Sequence, residues 1–270
     1  MPAAFGTPTA VSQAPESGRC TTALRILSGS GPVSAEQGNQ GITDKHENGD
    51  YGGKQKMRVI DLTHVIRENM PVYPGTEPPK LEAANSIEKD GFKETRITMF
   101  SHTGTHMDPP VHLFPNGTTL DRFPPEQFIG KAVVIDCRDL SDGEPISMAK
   151  IRCAGEKADK ADFLLFNLGW DRRWGTESYF GDYPCLDEEV LDYILQGNYK
   201  GIGFDVIGLD PIADVNLTRH KKLFAEKEIV NIENLCNLEK CGSGLFWFSC
   251  FPLRIEDCDG SPIRAVAWFD

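Results

Sequence analysis

The chain predicts an α/β fold: a single domain of mixed β-sheet with helices packed against it. Three observations carry this. Short apolar runs rich in Val, Ile, Leu and Phe recur at 132–136, 161–166, 201–205 and 245–249, as strands buried in a sheet do. Segments with helical start and stop signals lie between them. No internal repeat divides the chain, so the mixture argues for one layered domain.

The elements follow in order. Residues 58–63 read as a strand, and 70–75 as a rigid loop stiffened by Pro71 and Pro74. Residues 95–100 alternate in polarity and read as a strand running into a histidine-rich segment. Residues 132–136 form an apolar strand, and 147–154 a short helix. After a strand at 161–166, a helix is expected over 186–196, with acids in its first turn and Gly197 at its end. A strand at 201–205, a helix at 219–225 and a strand at 228–232 come next. Strands at 245–249 and 264–269 complete the pattern.

Residues 1–56 have a different texture. They are rich in Gly, Ser, Gln, Ala and Thr and hold few large apolar residues. Such a segment buries too little surface to offset its ordering entropy. It reads as a disordered leader, with a transit peptide as the weaker alternative. Residues 57–270 read as the folded domain.

Composition narrows the function classes. Hydrophobic residues make up 40% of the 270 and charged residues 25%, as in an ordinary globular protein. The formal net charge of -12 repels phosphate backbones and anionic lipid. No nucleic-acid partner and no membrane are therefore expected, and a small-molecule substrate is. The eight cysteines are irregularly spaced, with no Cys-x-x-Cys pair. They read as reduced thiols of a cytoplasmic protein.

The informative segment is 102–112, reading HTGTHMDPPVH. It holds three of the chain's six histidines, His102, His106 and His112, together with Asp108. Imidazole and carboxylate are the usual ligands of zinc, manganese and iron. The even-numbered positions share one face of an extended chain. A straight strand, however, puts His102 and His112 about 33 Å apart at roughly 3.3 Å per residue. The segment must curl to serve one centre. Gly104 permits unusual dihedrals, and Pro109 and Pro110 fix φ. Thr, Gly and Pro are poor helix formers, so a curled loop leaving a strand is expected.

This string resembles the signature of the cyclase family of metal-dependent hydrolases, which includes bacterial kynurenine formamidase and isatin hydrolase. His102, Gly104, Thr105, His106, Asp108, Pro110 and His112 carry the match. Further stretches that fit are 60–63, 71–75, 168–170, 203–205 and 260–265, so the resemblance spans residues 57–270. It implies a swivelling β/β/α-like fold. It also implies His102, His106 and Asp108 as metal ligands and His112 as the catalytic acid/base. A later His and Glu complete the family's ligand set; His220 and Glu233 fit, with Glu226 and Glu228 as nearby competitors. The implied cofactor is Zn2+ or Mn2+, as one or two ions. The implied assembly is a homodimer or larger homo-oligomer.

The resemblance implies cleavage of an amide C–N bond in a small, aromatic substrate of the N-formylkynurenine type. Tyr73 stands where the formamidases carry a Trp, and is a candidate substrate-binding residue. Two rival readings remain: a hydrolase opening a cyclic amide, imide or lactone, and a non-catalytic metal-binding protein. Trp170 and Trp174 are candidates for a pocket wall or for core. His46 and His64 lie outside the motif.

Overall fold

The computed structural model describes residues 57–269. The expected leader, with Cys20 and His46, lies outside the described residues. From the N-terminal side, strand β1 (Arg58–Asp61) leads through a Pro-rich loop to β2 (Lys80–Asn85), the single turn α1 (Ile87–Asp90) and β3 (Glu94–Thr98). The short β4 (His106–Asp108) lies in the histidine segment. Then come β5 (Ile129–Asp136), α2 (Met148–Ala154), α3 (Glu156–Asp159) and β6 (Phe163–Asn167). The helix α4 (Glu188–Gln196) precedes β7 (Gly201–Phe204), and α5 (Thr218–Glu226) precedes β8 (Val230–Glu233). Strands β9 (Phe246–Ser249), β10 (Ser261–Pro262) and β11 (Val266–Phe269) follow.

Nine strands form one mixed sheet in the order β1-β11-β9-β5-β6-β7-β8-β4-β10. The four central strands β5 to β8 run parallel. Helices α2 and α3, α4 and α5 lie in the three crossovers between them, as parallel pairing requires. The flanking pairs are antiparallel. Every residue of β6, β7 and β8 is buried. This explains why β6 and β7 are apolar runs rather than alternations, whereas β8 alternates and buries two polar residues, Asn231 and Glu233.

Both faces of the central strands are covered. Val133, Ile135, Leu164, Phe166, Ile202 and Phe204 share a core with Ile151, Val190, Ile194, Leu223 and Phe224 of the helices. Their sequence neighbours Ala132, Val134, Phe163 and Leu165 point the other way, into a second core. That core also takes Ile60 from β1 and Met107 from β4. These two strands stand near opposite edges of the sheet, so the sheet must curl to bring them together. The curl is stitched just beyond β1 and β8, where the Cys236 amide donates to the Leu62 carbonyl at 3.0 Å.

Two expectations are corrected. The strand expected at 95–100 ends at Thr98 and does not join the main sheet. It pairs with β2 in a separate hairpin, and no residue of that hairpin is buried. The histidine segment is not wholly a curled loop: residues 106–108 are a strand held between β8 and β10. The loop character is confined to its two ends. The cysteine expectation agrees with the structure, since all seven described cysteines are free.

Candidate metal centre and active site

The near half of the site comes from the histidine segment. Gly104 adopts φ +67°, a left-handed conformation that turns the chain into β4. Strand alternation then aims His106 and Asp108 to one face, with Met107 to the other, in the second core. Pro109 is extended and Pro110 opens a 3-10 turn that swings His112 back over the site. The His112 ring lies against the His102 ring, centroids 4.1 Å apart. A Cβ on Gly260 would sit 2.5 Å from the His102 ring, so the missing side chain makes room for that imidazole.

The far half comes from three elements. Glu233 ends β8 and lies opposite His106 in the β4–β8 register. His220 projects from the first turn of α5. Asp210 accepts from the backbone amides of Arg219 and His220, at 2.7 and 3.1 Å, at that helix's N-terminus. It also accepts from His220 Nδ1 at 2.7 Å. The two halves meet: His220 Nε2 lies 3.2 Å from Glu233 and 3.6 Å from Asp108. His106 Nε2 lies 3.3 Å from Asp108 and 3.6 Å from Glu233. Glu226 and Glu228, the competitors for the acidic position, are exposed.

This arrangement fits a divalent cation on chemical grounds. His106 Nδ1 faces the Gly104 carbonyl at 2.8 Å. A carbonyl only accepts, so Nδ1 carries a proton, and in the neutral form of the ring, the form that ligates a metal, Nε2 turns a lone pair toward carboxylate oxygens. His220 repeats the pattern, with Asp210 in place of the carbonyl. Such a convergence, deep in the protein, is stabilised by positive charge, which a bound cation would supply. Backbone and carboxylate partners on the far ring nitrogen are also how ligating histidines are oriented. Donor atoms of His102, His106 and Asp108 lie within 4.8 Å of one another, as do those of Asp108, His220 and Glu233. Asp108 belongs to both groups.

The protonation directions follow from the same contacts. Burial alone disfavours charge on His106 and His220, but the carboxylates around them prevail and raise both. His102 is raised to about 10: burial opposes its charge, while Asp108 on one nitrogen and Asp259 on the other favour it. His112 moves the opposite way, lowered chiefly by burial. It is the imidazole of the cluster that stays neutral.

These residues line a cavity of about 680 Å3. Its floor is polar, and its upper walls are Val72, Tyr73, Phe100, Ile207, Val215 and Leu217. Tyr73 thus lines the cavity. Trp170 is buried in the helix-side core, its indole N–H donating to the Tyr179 carbonyl. Trp174 stacks on His64 with centroids 3.9 Å apart. Neither is among the cavity's lining residues.

The sequence reading missed three polar residues here. Asp210 precedes His220 by ten positions, and its role depends on how α5 enters. Asn231 had a legible signal: it stands two before Glu233 on a strand, and so on the same face. Asn234, at φ +57°, joins the halves through its side chain, donating to the Gly104 carbonyl at 2.8 Å and accepting from Tyr179 at 2.6 Å.

Imidazoles and carboxylates converging at the floor of an accessible cavity are the equipment of a metal-dependent hydrolase. Comparison with known proteins makes the class specific. The family model described as "Putative cyclase" matches residues 60–211, more than half of the chain and all of the histidine segment. The chain belongs to this cyclase family. A kynurenine formamidase from Bacillus cereus is 28% identical over 208 residues, covering 77% of this chain and 95% of that protein. Isatin hydrolase A from Labrenzia aggregata, bound to benzyl benzoate, shares the fold with a TM-score of 0.70 at 24% identity, over 78% of this chain and 93% of that one. A Bacillus stearothermophilus structure described as a predicted metal-dependent hydrolase aligns with a TM-score of 0.61 at 27% identity, over 79% and 99%. By this kinship the protein is a metal-dependent amidohydrolase.

Proposed function

We propose that this protein is an arylformamidase, releasing formate from N-formylkynurenine or a close relative to leave the free aryl amine. The observation that carries the reading is the pairing, in one cavity, of converging imidazoles and carboxylates with apolar, aromatic walls. Kinship with the Bacillus cereus kynurenine formamidase supports it.

In this reading His102, His106, Asp108, His220 and Glu233 hold Zn2+ or Mn2+. Because Asp108 is shared by both donor groups, the set suits one ion or a pair. A divalent ion at such a site polarises the amide carbonyl and lowers the pKa of water toward neutrality. The protein's own residues do the rest. Gly104 and Asp210 orient two imidazoles through their Nδ1 atoms. Tyr73 and Phe100 offer flat apolar contact to an aryl ring. His112, uncharged at neutral pH, accepts a proton from the attacking water and returns it to the departing nitrogen.

Opening of a cyclic amide, imide or lactone is the second reading. The aromatic walls that suit an aryl formamide also suit a planar bicyclic ring. The decisive experiment is metal analysis of the purified protein, followed by assays with N-formylkynurenine, isatin and small cyclic imides after metal restoration. Formate release from N-formylkynurenine supports the first reading, and turnover of the ring substrates alone selects the second. A protein that binds metal tightly and turns over none of them overturns both substrate readings, though not the hydrolase class.

We further propose that it works as a homodimer or larger homo-oligomer in the cytoplasm. The hairpin of β2 and β3 supports assembly. It exposes Leu81, Ile87, Phe92 and Ile97, and an isolated two-stranded hairpin is only marginally stable in water. Seven free cysteines suit a reducing compartment.

A further inference from the structure

Asn231 is buried at the centre of the site, with 0% of its surface exposed. Its Nδ2 lies 3.0 Å from Asp108 Oδ2, 3.2 Å from His220 Nε2 and 2.8 Å from Glu233 Oε1. Those three residues form the second donor group. The end of the Asn231 side chain therefore sits among the atoms that would surround an ion. An NH2 group has two protons, and two carboxylate oxygens and a ring nitrogen face it. The carboxamide oxygen, meanwhile, is buried with no hydrogen-bond partner. A buried carbonyl oxygen left unpaired is costly, and a native site rarely keeps one without a use.

The two ends of a carboxamide are nearly the same size, so a half-turn about its last bond exchanges nitrogen for oxygen in the same space. Turned this way, the oxygen joins the three donors as a fourth and would face the cation. We propose that Asn231 is a further metal ligand through its Oδ1, and that it biases the second donor group toward an oxygen-preferring ion such as Mn2+ over Zn2+. The chemistry is that of the donor count. Asp108, Glu233 and Asn231 supply oxygen and only His220 supplies nitrogen, a set that suits manganese. His102, His106 and Asp108 supply two nitrogens to one oxygen, a set that suits zinc.

The inference rests on the metal reading proposed above, and its test separates the two. Metal-stripped wild-type protein and the variants Asn231→Ala and Asn231→Asp are titrated with Mn2+ alone and with Zn2+ alone, by calorimetry or chelator competition. Thermal melts of each metal-stripped protein establish folding. Asn231→Ala is expected to weaken Mn2+ binding on the order of tenfold or more and Zn2+ binding less, so that the Mn2+/Zn2+ affinity ratio falls. Asn231→Asp keeps an oxygen in place and is expected to retain or strengthen Mn2+ binding. It remains informative if the alanine variant does not fold. A purely structural asparagine would lower thermal stability and leave the ratio alone. An unchanged ratio in a folded alanine variant, or loss of Mn2+ preference in a folded aspartate variant, overturns the inference by itself. Wild-type protein that binds neither ion overturns the metal reading, and this inference with it.

Discussion

The two halves of the site reach similar chemistry by different routes. The near half packs His102, His106, Asp108 and His112 into one short segment. Its geometry comes from local backbone: a left-handed Gly104, three residues of strand and a proline-led turn. The far half spreads Asp210, His220 and Glu233 over a loop, a helix and a strand. Its geometry comes from packing, because α5 must seat Leu223 and Phe224 in the core before His220 faces the site. A centre can thus be half written in local backbone preference and half in tertiary structure. The two halves should respond differently to change.

The strongest way to break this comparison is to remove one imidazole from each half. His106→Ala and His220→Ala are each expected to reduce turnover to background and lower bound metal, as measured by elemental analysis. Near-normal turnover in either variant would show that the halves are not one centre. Next comes His112→Ala. Loss of about 10²–10⁴-fold in kcat with metal content unchanged is expected, because its ring is placed to move protons. Loss of metal as well would assign it to the ligand set.

A smaller effect separates the halves directly. Asp210→Asn keeps the shape but removes the charge that orients His220, and should weaken metal binding by about 10–100-fold. The equivalent support in the near half is the Gly104 carbonyl, which no side-chain substitution removes. The smallest effect concerns His64, beside the near half, whose amide donates to the Thr105 hydroxyl. Burial lowers its pKa from 6.5 to about 4. The folded protein thus disfavours its charged form, so its contribution to stability is complete above 6.5 and lost as pH falls toward about 4. Melts between pH 7 and 4 should fall less steeply for His64→Gln than for wild type. Parallel slopes would remove this role.

Much of the near half was legible in the sequence because its cause is local. Gly104, Pro109 and Pro110 announce a bent segment, and histidine spacing announces ligands. The strand at 106–108 was not legible, since three residues carry no periodicity and its pairing partners lie in β8 and β10. The central strands were readable from their apolar runs. The curl of the sheet was not, because it brings Ile60 to Met107 through contacts far apart in the chain. His220 and Glu233 were reached only through family resemblance. Asp210 was not reached at all, since nothing local distinguishes it from Asp214, which also accepts amide hydrogen bonds near the start of α5.

No residue of β2 or β3 is buried among the described residues, while β6 is buried along its whole length. Deuterium uptake at the two places therefore answers two separate questions. Protection of the Phe163–Asn167 amides measures how firmly the domain holds together, and should not depend on protein concentration while the fold is intact. Among the described residues, the amides of Glu94–Thr98 pair only in the hairpin's own ladder. Whatever extra slowing appears there on raising the concentration is a direct count of neighbours. The molecule carries its own gauge of association, wired at one end to the Tyr73 loop and at the other to Phe100, the two walls of the cavity mouth.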